Sequence, residues 1–291
     1  MKWLASFFNL IAPGFGHVYM GFFKKGFLFF LLWQVLALIV GFFLVQTLAG
    51  ALAGGLVQFG IFGYLIRDVF LHARRKDLPV KSKYQEKKYL IPLFLAFVAI
   101  NILIAKSVPY KAYVMPSASM CPSVLIGDRI IVSRSETPVR GEIAIYRSPK
   151  NPAETFMKRI VGLPGDKITL KDNIVSINDV ALNQGERKPN FDLRSGCGEK
   201  MNVDKLRLVN AQIDKTTFSF LIDDEHALSD FDEFIVPPDS VFVLGDNLNN
   251  SLDSRFIGAV KQSNLLGTAK YIYFSYSLGQ FRWDRTGIPL Q

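Results

Sequence analysis

Met115-Pro116-Ser117-Ala118-Ser119-Met120-Cys121-Pro122-Ser123-Val124-Leu125-Ile126-Gly127-Asp128-Arg129-Ile130-Ile131-Val132 is where the chain changes character. Upstream, Phe, Leu, Ala, Ile and Gly dominate; downstream, the composition is that of an ordinary soluble protein. Within the stretch, a proline-bounded turn carries two serines. An apolar run, a Gly-Asp turn and a β-branched strand over Ile130 to Val132 follow. Pro116 and Pro122 hold the residues before them extended, so Ser117 and Ser119 sit on a stiff, non-helical loop. Two readings fit such a loop: a plain Ser/Pro surface turn, or a mount for a pre-positioned nucleophilic hydroxyl.

Working back toward the start, residues 1–23 set Trp3, Phe7, Phe8, Tyr19, Phe22 and Phe23 around a Pro13-Gly14-Phe15-Gly16 break. This predicts an interfacial hairpin or short re-entrant piece, broken too early to span. Residues 26–48 are apolar, uncharged and long enough to cross a bilayer. Residues 49–55 read as a small-residue turn, and 56–66 continue apolar, making with the turn residues a second, shorter span ending at Arg67-Asp68. A cleaved signal ending at Ala51-Leu52-Ala53 competes with this, but the apolar run far exceeds a signal core of roughly 7–15 residues. Arg74, Arg75, Lys76, Lys81, Lys83, Lys87 and Lys88 mark residues 73–88 as a cytoplasmic loop. Residues 89–106 predict a third span. Alternation then puts residues 107–291 outside the cytoplasm, on the periplasmic side of a multi-pass protein. Residues 1–72 hold the hairpin and the first two spans.

The formal net charge is +9. Its positive members crowd beside the apolar spans, so membrane topology explains them better than nucleic-acid binding. The cysteines, Cys121 and Cys197, have no metal-ligand spacing, and neither a metal nor a cofactor is expected. A disulfide between them is left open, and the place of Cys121 inside the proposed active loop argues against it.

Beyond Tyr110 no long helical period is found. Short β-rich runs occur at 129–133, 142–147, 155–161, 167–170, 174–177, 217–222, 240–244 and 268–275, with Gly-Asp turns at 127–128, 165–166 and 245–246. The expected fold is membrane-anchored and mainly β: N-terminal transmembrane helices followed by an antiparallel β-barrel or sandwich. The polar, irregular residues 181–235 are read as a lobe inserted into it. The aromatic tail Tyr271, Tyr273, Phe274, Phe281 and Trp283 fits either an interfacial patch or β core.

A nucleophilic Ser119 needs a base. His17 and His72 fall in the membrane or cytoplasmic part, and His226 sits in a polar stretch without a second signal, so a Ser-His-Asp triad is poorly supported. Lysine serves instead when burial holds it neutral. In Phe156-Met157-Lys158-Arg159-Ile160, strand alternation sets Lys158 on the face of Phe156 and Ile160 and Arg159 on the other. Lys158 is then either a candidate base or a snorkelling lysine on a half-buried strand. Guanidinium stays protonated, which excludes Arg159 as a base. The segment Gly245-Asp246-Asn247-Leu248-Asn249-Asn250-Ser251-Leu252-Asp253-Ser254-Arg255 is either an Asx-rich turn or a polar bracket. As a bracket, Ser251 and Asp253 orient the base, and Asp246 pairs with Arg255.

Together these segments resemble the type I signal peptidase family, the membrane-bound Ser/Lys proteases, over about residues 106–285. The match rests on Ser117-Ala118-Ser119-Met120 with Pro122 and Gly127-Asp128, and on Lys158-Arg159-Ile160-Val161-Gly162 with Pro164-Gly165-Asp166. It continues in Gly245-Asp246-Asn247 with Asn250-Ser251 and Asp253-Ser254-Arg255, and Arg140-Gly141-Glu142-Ile143 resembles a fourth segment. The resemblance implies a serine endopeptidase that removes signal peptides from exported preproteins after small-x-small motifs at the outer face of the bacterial inner membrane. It implies Ser119 as nucleophile, Lys158 as general base, and the Ser117 hydroxyl with the Ser119 N–H as oxyanion hole. Ser251 and Asp253 would position Lys158, and Asp246 and Arg255, with Arg159, would form a structural bracket. The implied partners are signal peptides, the phospholipid bilayer and, transiently, the export machinery, with no nucleic acid. Ala118 stands where the family usually has Gly, and the first seventy or so residues do not match its usual anchor; they resemble a membrane-hairpin segment found on various bacterial proteins. Two other readings compete. A self-cleaving Ser/Lys repressor fits poorly with the spans and the lack of a helix-turn-helix stretch. A catalytically inactive, membrane-anchored peptide-binding relative fits poorly with the presence of both Ser119 and Lys158.

Overall fold

The computed structural model describes residues 2–45, 47–75, 86–134, 137–187, 194–197, 205–225, 228 and 230–290. It divides into two compact units, Met1–Pro109 and Tyr110–Gln291.

The first unit is helical: α1 (Lys2–Ile11), α2 (Phe15–Tyr19), α3 (Phe23–Ile39), α4 (Leu48–Arg75) and α5 (Lys87–Ser107), with a π-helical turn at Val40–Leu44. Where a hairpin was expected, two short helices meet at Gly14, whose φ of +91° is one that side chains disfavour. A Cβ at Gly14 would collide with the Gly26 carbonyl of α3, and one at Gly16 with the Ala5 carbonyl of α1. Glycine at both positions therefore lets the three backbones touch. Ala12, Phe15, Val18, Phe30 and Phe97 form the core. The rings of Phe30 and Phe97 stack with centroids 3.9 Å apart. Asp68 of α4 is satisfied by Lys25 Nζ at 2.6 Å and His17 Nε2 at 2.9 Å.

Three helical stretches, Phe23–Phe42, Leu48–Arg74 and Lys88–Ser107, are long and apolar enough to cross a membrane. Large side chains such as Leu56 and Phe59 point outward from them. The small residues 49–55, expected as a turn, are helical, so the second apolar helix is not short. Alanine is the best helix former, glycine costs only about 1 kcal/mol, and no proline interrupts the run. Residues 76–85, and with them the core of the expected basic loop, lie outside the described residues.

The second unit is mainly antiparallel β. Its first strands are β1 (Tyr110–Val114), β2 (Asp128–Ser133), β3 (Ile143–Arg147), β4 (Thr155–Gly162), β5 (Lys167–Lys171), β6 (Ile174–Ile177) and β7 (Val180–Ala181). There follow β8 (Asn183–Arg187), the short helix α6 (Arg194–Cys197), β9 (Leu206–Ile213), β10 (Thr216–Asp223), β11 (Phe231–Ile235) and β12 (Ser240–Leu244). The helix α7 (Ser254–Ile257), β13 (Val260–Lys261), β14 (Leu265–Ser277) and β15 (Gln280–Phe281) complete it. The largest sheet runs β1-β2-β14-β3-β4-β12-β13, with β15 paired to β14. Its path is open, with β1 at one end, so the barrel expected as one alternative is not closed. A four-stranded sheet runs β11-β5-β6-β7, and a three-stranded one β10-β9-β8.

One core cluster, including Val161, Ile168, Phe220 and Phe242, joins strands of all three sheets. A second, including Met120, Ile130, Ile143 and Ile272, lies against the serine loop. β4 runs between β3 and β12 and is buried from Met157 through Gly162, so both its faces are covered. Two of the Gly-Asp turns share one device. Gly127 and Gly165 each take φ of +86°. The carboxylates that follow then accept N–H bonds from three residues back, Asp128 from Leu125 at 2.8 Å and Asp166 from Leu163 at 2.7 Å.

Candidate active site

β4 brings Lys158 beneath the turn that follows β1. Lys158 Nζ donates to Ser119 Oγ at 2.7 Å. Ser119 is 8% exposed and Lys158 3%. Ser117 Oγ lies 3.3 Å from Ser119 Oγ. Among the described residues, no protein acceptor takes the Ser119 N–H. Burial pushes the Lys158 amine down to about 8, against the opposing pull of Asp253 and Asp246. An amine in that range is partly neutral near physiological pH and able to accept a proton from the hydroxyl it touches. The pair opens on a cleft of about 300 Å³, walled by Tyr113, Met115 and Ser117 on one side and Ile145 and Phe156 on the other.

Arg159, one residue along, points away from the cleft into a closed pair. Its Nε and Nη2 donate to the two carboxylate oxygens of Asp246 at 2.8 and 2.7 Å, and its Nη1 donates to Gly141 O at 2.5 Å. The Phe218 ring lies 4.1 Å from its guanidinium carbon. Both members are buried, so this two-pronged geometry is what offsets their desolvation. The expected Asp246–Arg255 pair is not formed. Arg255 instead binds Asp253, with Nε to Oδ1 and Nη2 to Oδ2 both at 2.8 Å. The two residues lie at the start of one short helix, and Arg159 has already filled Asp246. Asp253 also accepts the Gly245 N–H at 3.0 Å and caps α7. It acts on Lys158 as a nearby charge rather than as a bonded partner. Among the described residues, buried Ser251 Oγ has no hydrogen-bond partner, so its expected contact with Lys158 is not made.

Three features were not read from the sequence as parts of the site. Asn247 holds the serine turn from one side, its N–H donating to Ser119 O at 3.1 Å and its Nδ2 to Ala118 O at 3.2 Å. Gly245 passes so close that a Cβ there would lie 2.5 Å from Ser119 O. Asp128 collects Arg285 Nη2 at 2.7 Å and Ser275 Oγ at 2.6 Å, tying the end of the loop to β14 and to the helical turn at Trp283–Arg285. Asn247 and Asp128 stood in quoted motifs, but their partners are too distant in sequence to be read.

The expectation about the cysteines is overturned. Cys121 and Cys197 are joined in a disulfide, with Cα atoms 5.6 Å apart. Position in the loop did not prevent it, because the Cys121 side chain turns inward toward Leu206, Leu208 and Leu221, away from the cleft. Of the histidines, His17 and His72 lie in the helical unit, and His226 lies outside the described residues.

The family model described as "Signal peptidase, peptidase S26" matches residues 87–274. Signal peptidase I of Buchnera aphidicola subsp. Baizongia pistaciae is 30% identical over 264 residues, covering 72% of this chain and 84% of that protein. Signal peptidase I of Aquifex aeolicus is 32% identical over 218 residues, covering 65% of this chain and 84% of that protein. A crystal structure of a signal peptidase I from Enterococcus faecalis is 29% identical and covers 45% of this chain and 96% of that one, with a TM-score of 0.27. The chain therefore belongs to the signal peptidase, peptidase S26, family. It is a serine peptidase, a hydrolase of peptide bonds, and carries apolar helices compatible with membrane anchoring.

Proposed function

We propose that this protein is a signal peptidase I that removes signal peptides from exported preproteins by a Ser/Lys mechanism. The observation that carries the reading is the 2.7 Å contact between Lys158 Nζ and Ser119 Oγ in a cleft-lining pair. Neutral Lys158 takes the Ser119 proton as Oγ attacks the scissile carbonyl. The same lysine protonates the leaving amine and then activates the water that hydrolyses the acyl-enzyme. The Ser119 N–H and the Ser117 hydroxyl receive the developing oxyanion. Asp253 keeps the site electrostatically balanced, Arg255 holds Asp253, and Arg159 with Asp246 fixes β4 against the last loop. Ser251, next to Gly245, turns its free hydroxyl to Lys158 during turnover.

The preprotein lies extended along the cleft and adds a strand beside Tyr113 and Val114. Shallow apolar walls such as Met115, Ile145 and Phe156 admit small side chains at the two selective positions before the cut. The three apolar helices cross the bacterial inner membrane, residues 73–88 face the cytoplasm, and residues 107–291 work on the periplasmic side. The Cys121–Cys197 bond favours that placement, since disulfides persist in oxidising compartments. Within 181–235, the described strands β9, β10 and β11 share a core with Val161 and Phe242, which supports placing this stretch on the catalytic β unit. Anchoring raises the local concentration of membrane-borne signal peptides handed over by the export machinery.

The test is cleavage of a preprotein in detergent by wild type, Ser119→Ala and Lys158→Ala. Cleavage after a small-x-small site, lost in both folded variants, supports the reading. Binding without cleavage by wild type would replace it with a peptide-binding role.

A further inference from the structure

Ser119 opens a turn, residues 119–123, whose third member is Cys121. On one side of this turn Asn247 donates to Ser119 O. On the other, Cys121 is bonded to Cys197 at the end of α6. α6 holds the loop at a second point, since Gly196 O accepts the Ile126 N–H at 3.0 Å and Gly196 packs against the Leu125 side chain. Both cysteines are buried with Leu125, Leu206, Leu208 and Leu221, so the bond ties the turn to β9 and β10. Lys158 belongs to a different segment, β4. The 2.7 Å contact of its Nζ with Ser119 Oγ therefore depends on where the turn is held.

We propose that the Cys121–Cys197 disulfide is a positioning element of the active site, fixing the turn that presents Ser119 Oγ to Lys158, so that full turnover begins only once the bond has formed. The inference rests on the Ser/Lys reading above. The chemistry is thiol–disulfide exchange. One cysteine thiolate attacks a donor disulfide and releases a donor thiolate; the second displaces the other donor thiol from the mixed disulfide. The Sγ–Sγ bond forms, the two cysteines lose two protons and two electrons, and the donor leaves as a dithiol. In the folded protein Cys121 is 0% and Cys197 1% exposed, so an attacking thiolate has no access. The bond is thus made as the chain folds and kept afterwards: a maturation step that needs a disulfide-donating partner, not a reversible switch.

The test uses the full chain in detergent. Wild type synthesised with oxidised glutathione is compared with wild type synthesised with dithiothreitol and with Cys121→Ala/Cys197→Ala. Preprotein cleavage is measured at a temperature where circular dichroism finds each form folded. The expected result is a kcat lower by roughly ten- to a hundredfold in both bond-free forms, with KM within about twofold, as for a misplaced catalytic group. The acid limb of the pH profile also moves to higher pH. A loosened turn lets water reach Lys158, whose surroundings (Ser119, Phe156, and the charges of Asp253, Asp246 and Arg255) now keep it partly dehydrated. Unchanged kcat and pH profile with only a lower melting temperature would reduce the bond to a stabilising staple and overturn the proposal. Failure to fold without the bond would overturn it too, giving the bond a folding role instead. Cleavage retained by Ser119→Ala would remove the underlying Ser/Lys reading, whatever the cysteines do.

Discussion

Lys158 Nζ and Ser119 Oγ meet at 2.7 Å although 39 residues separate them in the chain. The contact exists because a central strand, buried on both faces, delivers the amine from below, while a clamped turn delivers the hydroxyl from above. Each half is rigid for its own reason.

The pH dependence follows from the Lys158 amine. Its value is lowered from 10.5 to about 8, and in the proposed mechanism the amine must be neutral to act as base. The kcat/KM for preprotein cleavage is expected to rise with pH through an apparent value near 8 and level off above it. A profile flat from about pH 6 to about pH 10, roughly two units either side of that value, would remove Lys158 as the titrating base.

The same shift has a consequence for stability. Below about 8 both folded and unfolded chains hold the proton, and the folded state bears the cost of a buried ammonium. Between about 8 and 10.5 the unfolded chain keeps a proton that the folded chain has shed, so stability rises with pH across that window. Lys158→Met, which removes the charge and keeps the length, is expected to be inactive yet more stable at pH 7 by up to about 3 kcal/mol. Chemical denaturation of the two proteins at pH 7 checks the sign.

Ser117→Ala removes the proposed oxyanion donor and leaves the proposed nucleophile and base in place. The expected loss in kcat is about a hundred- to a thousandfold with little change in the melting curve. Wild-type turnover in this variant would exclude Ser117 from the oxyanion hole.

Asp246→Ala leaves the Arg159 guanidinium buried without its carboxylate. Removing one partner of such a pair costs about 3–5 kcal/mol, and denaturant midpoints should report it. Loss of activity is expected here through lost structure, which separates this variant from Ser117→Ala.

Gly245→Ala tests the clearance around the turn. The added methyl would lie 2.5 Å from Ser119 O, and it would also strike the Ser251 hydroxyl. The turn must move to make room, so activity is expected to fall by roughly a hundredfold, the scale of a misplacement of about 1 Å. A variant that cleaves like wild type would mean that the turn yields without cost.

Much of the β unit was legible because its strands alternate or run β-branched between turn residues. The eight runs read from the sequence, 129–133 through 268–275, each fall on a strand, with only Glu142 outside one. The remaining strands were passed over, the two-residue β7, β13 and β15 because they are too short to show a pattern, and β1 because it follows directly on an apolar helix. β9 was hidden by its place in a stretch that looked irregular as a whole. The second apolar helix was read too short because glycine was weighed as a stop, while alanine and leucine around it carry the helix through. At the site, residue types announced Ser119 and Lys158, since few side chains suit the chemistry. The pairing of charges was less readable. Arg159 and Arg255 each had two carboxylates in the same short segment to choose from, and only the strand register decides between them. The disulfide was misread because position in a loop says nothing about which way a side chain turns.

The adjacency of Lys158 and Arg159 on β4 also guards against error. A slip of β4 by one residue would exchange the environments of the two side chains. Arg159, which cannot give up its proton, would then face the serine, and Lys158, with its single ammonium, would face a carboxylate shaped for a forked partner. A misregistered molecule would be both poorly anchored and mute. Proofreading of the strand is thus built into two consecutive letters of the sequence, and no partly assembled form would be left to cut membrane proteins at random.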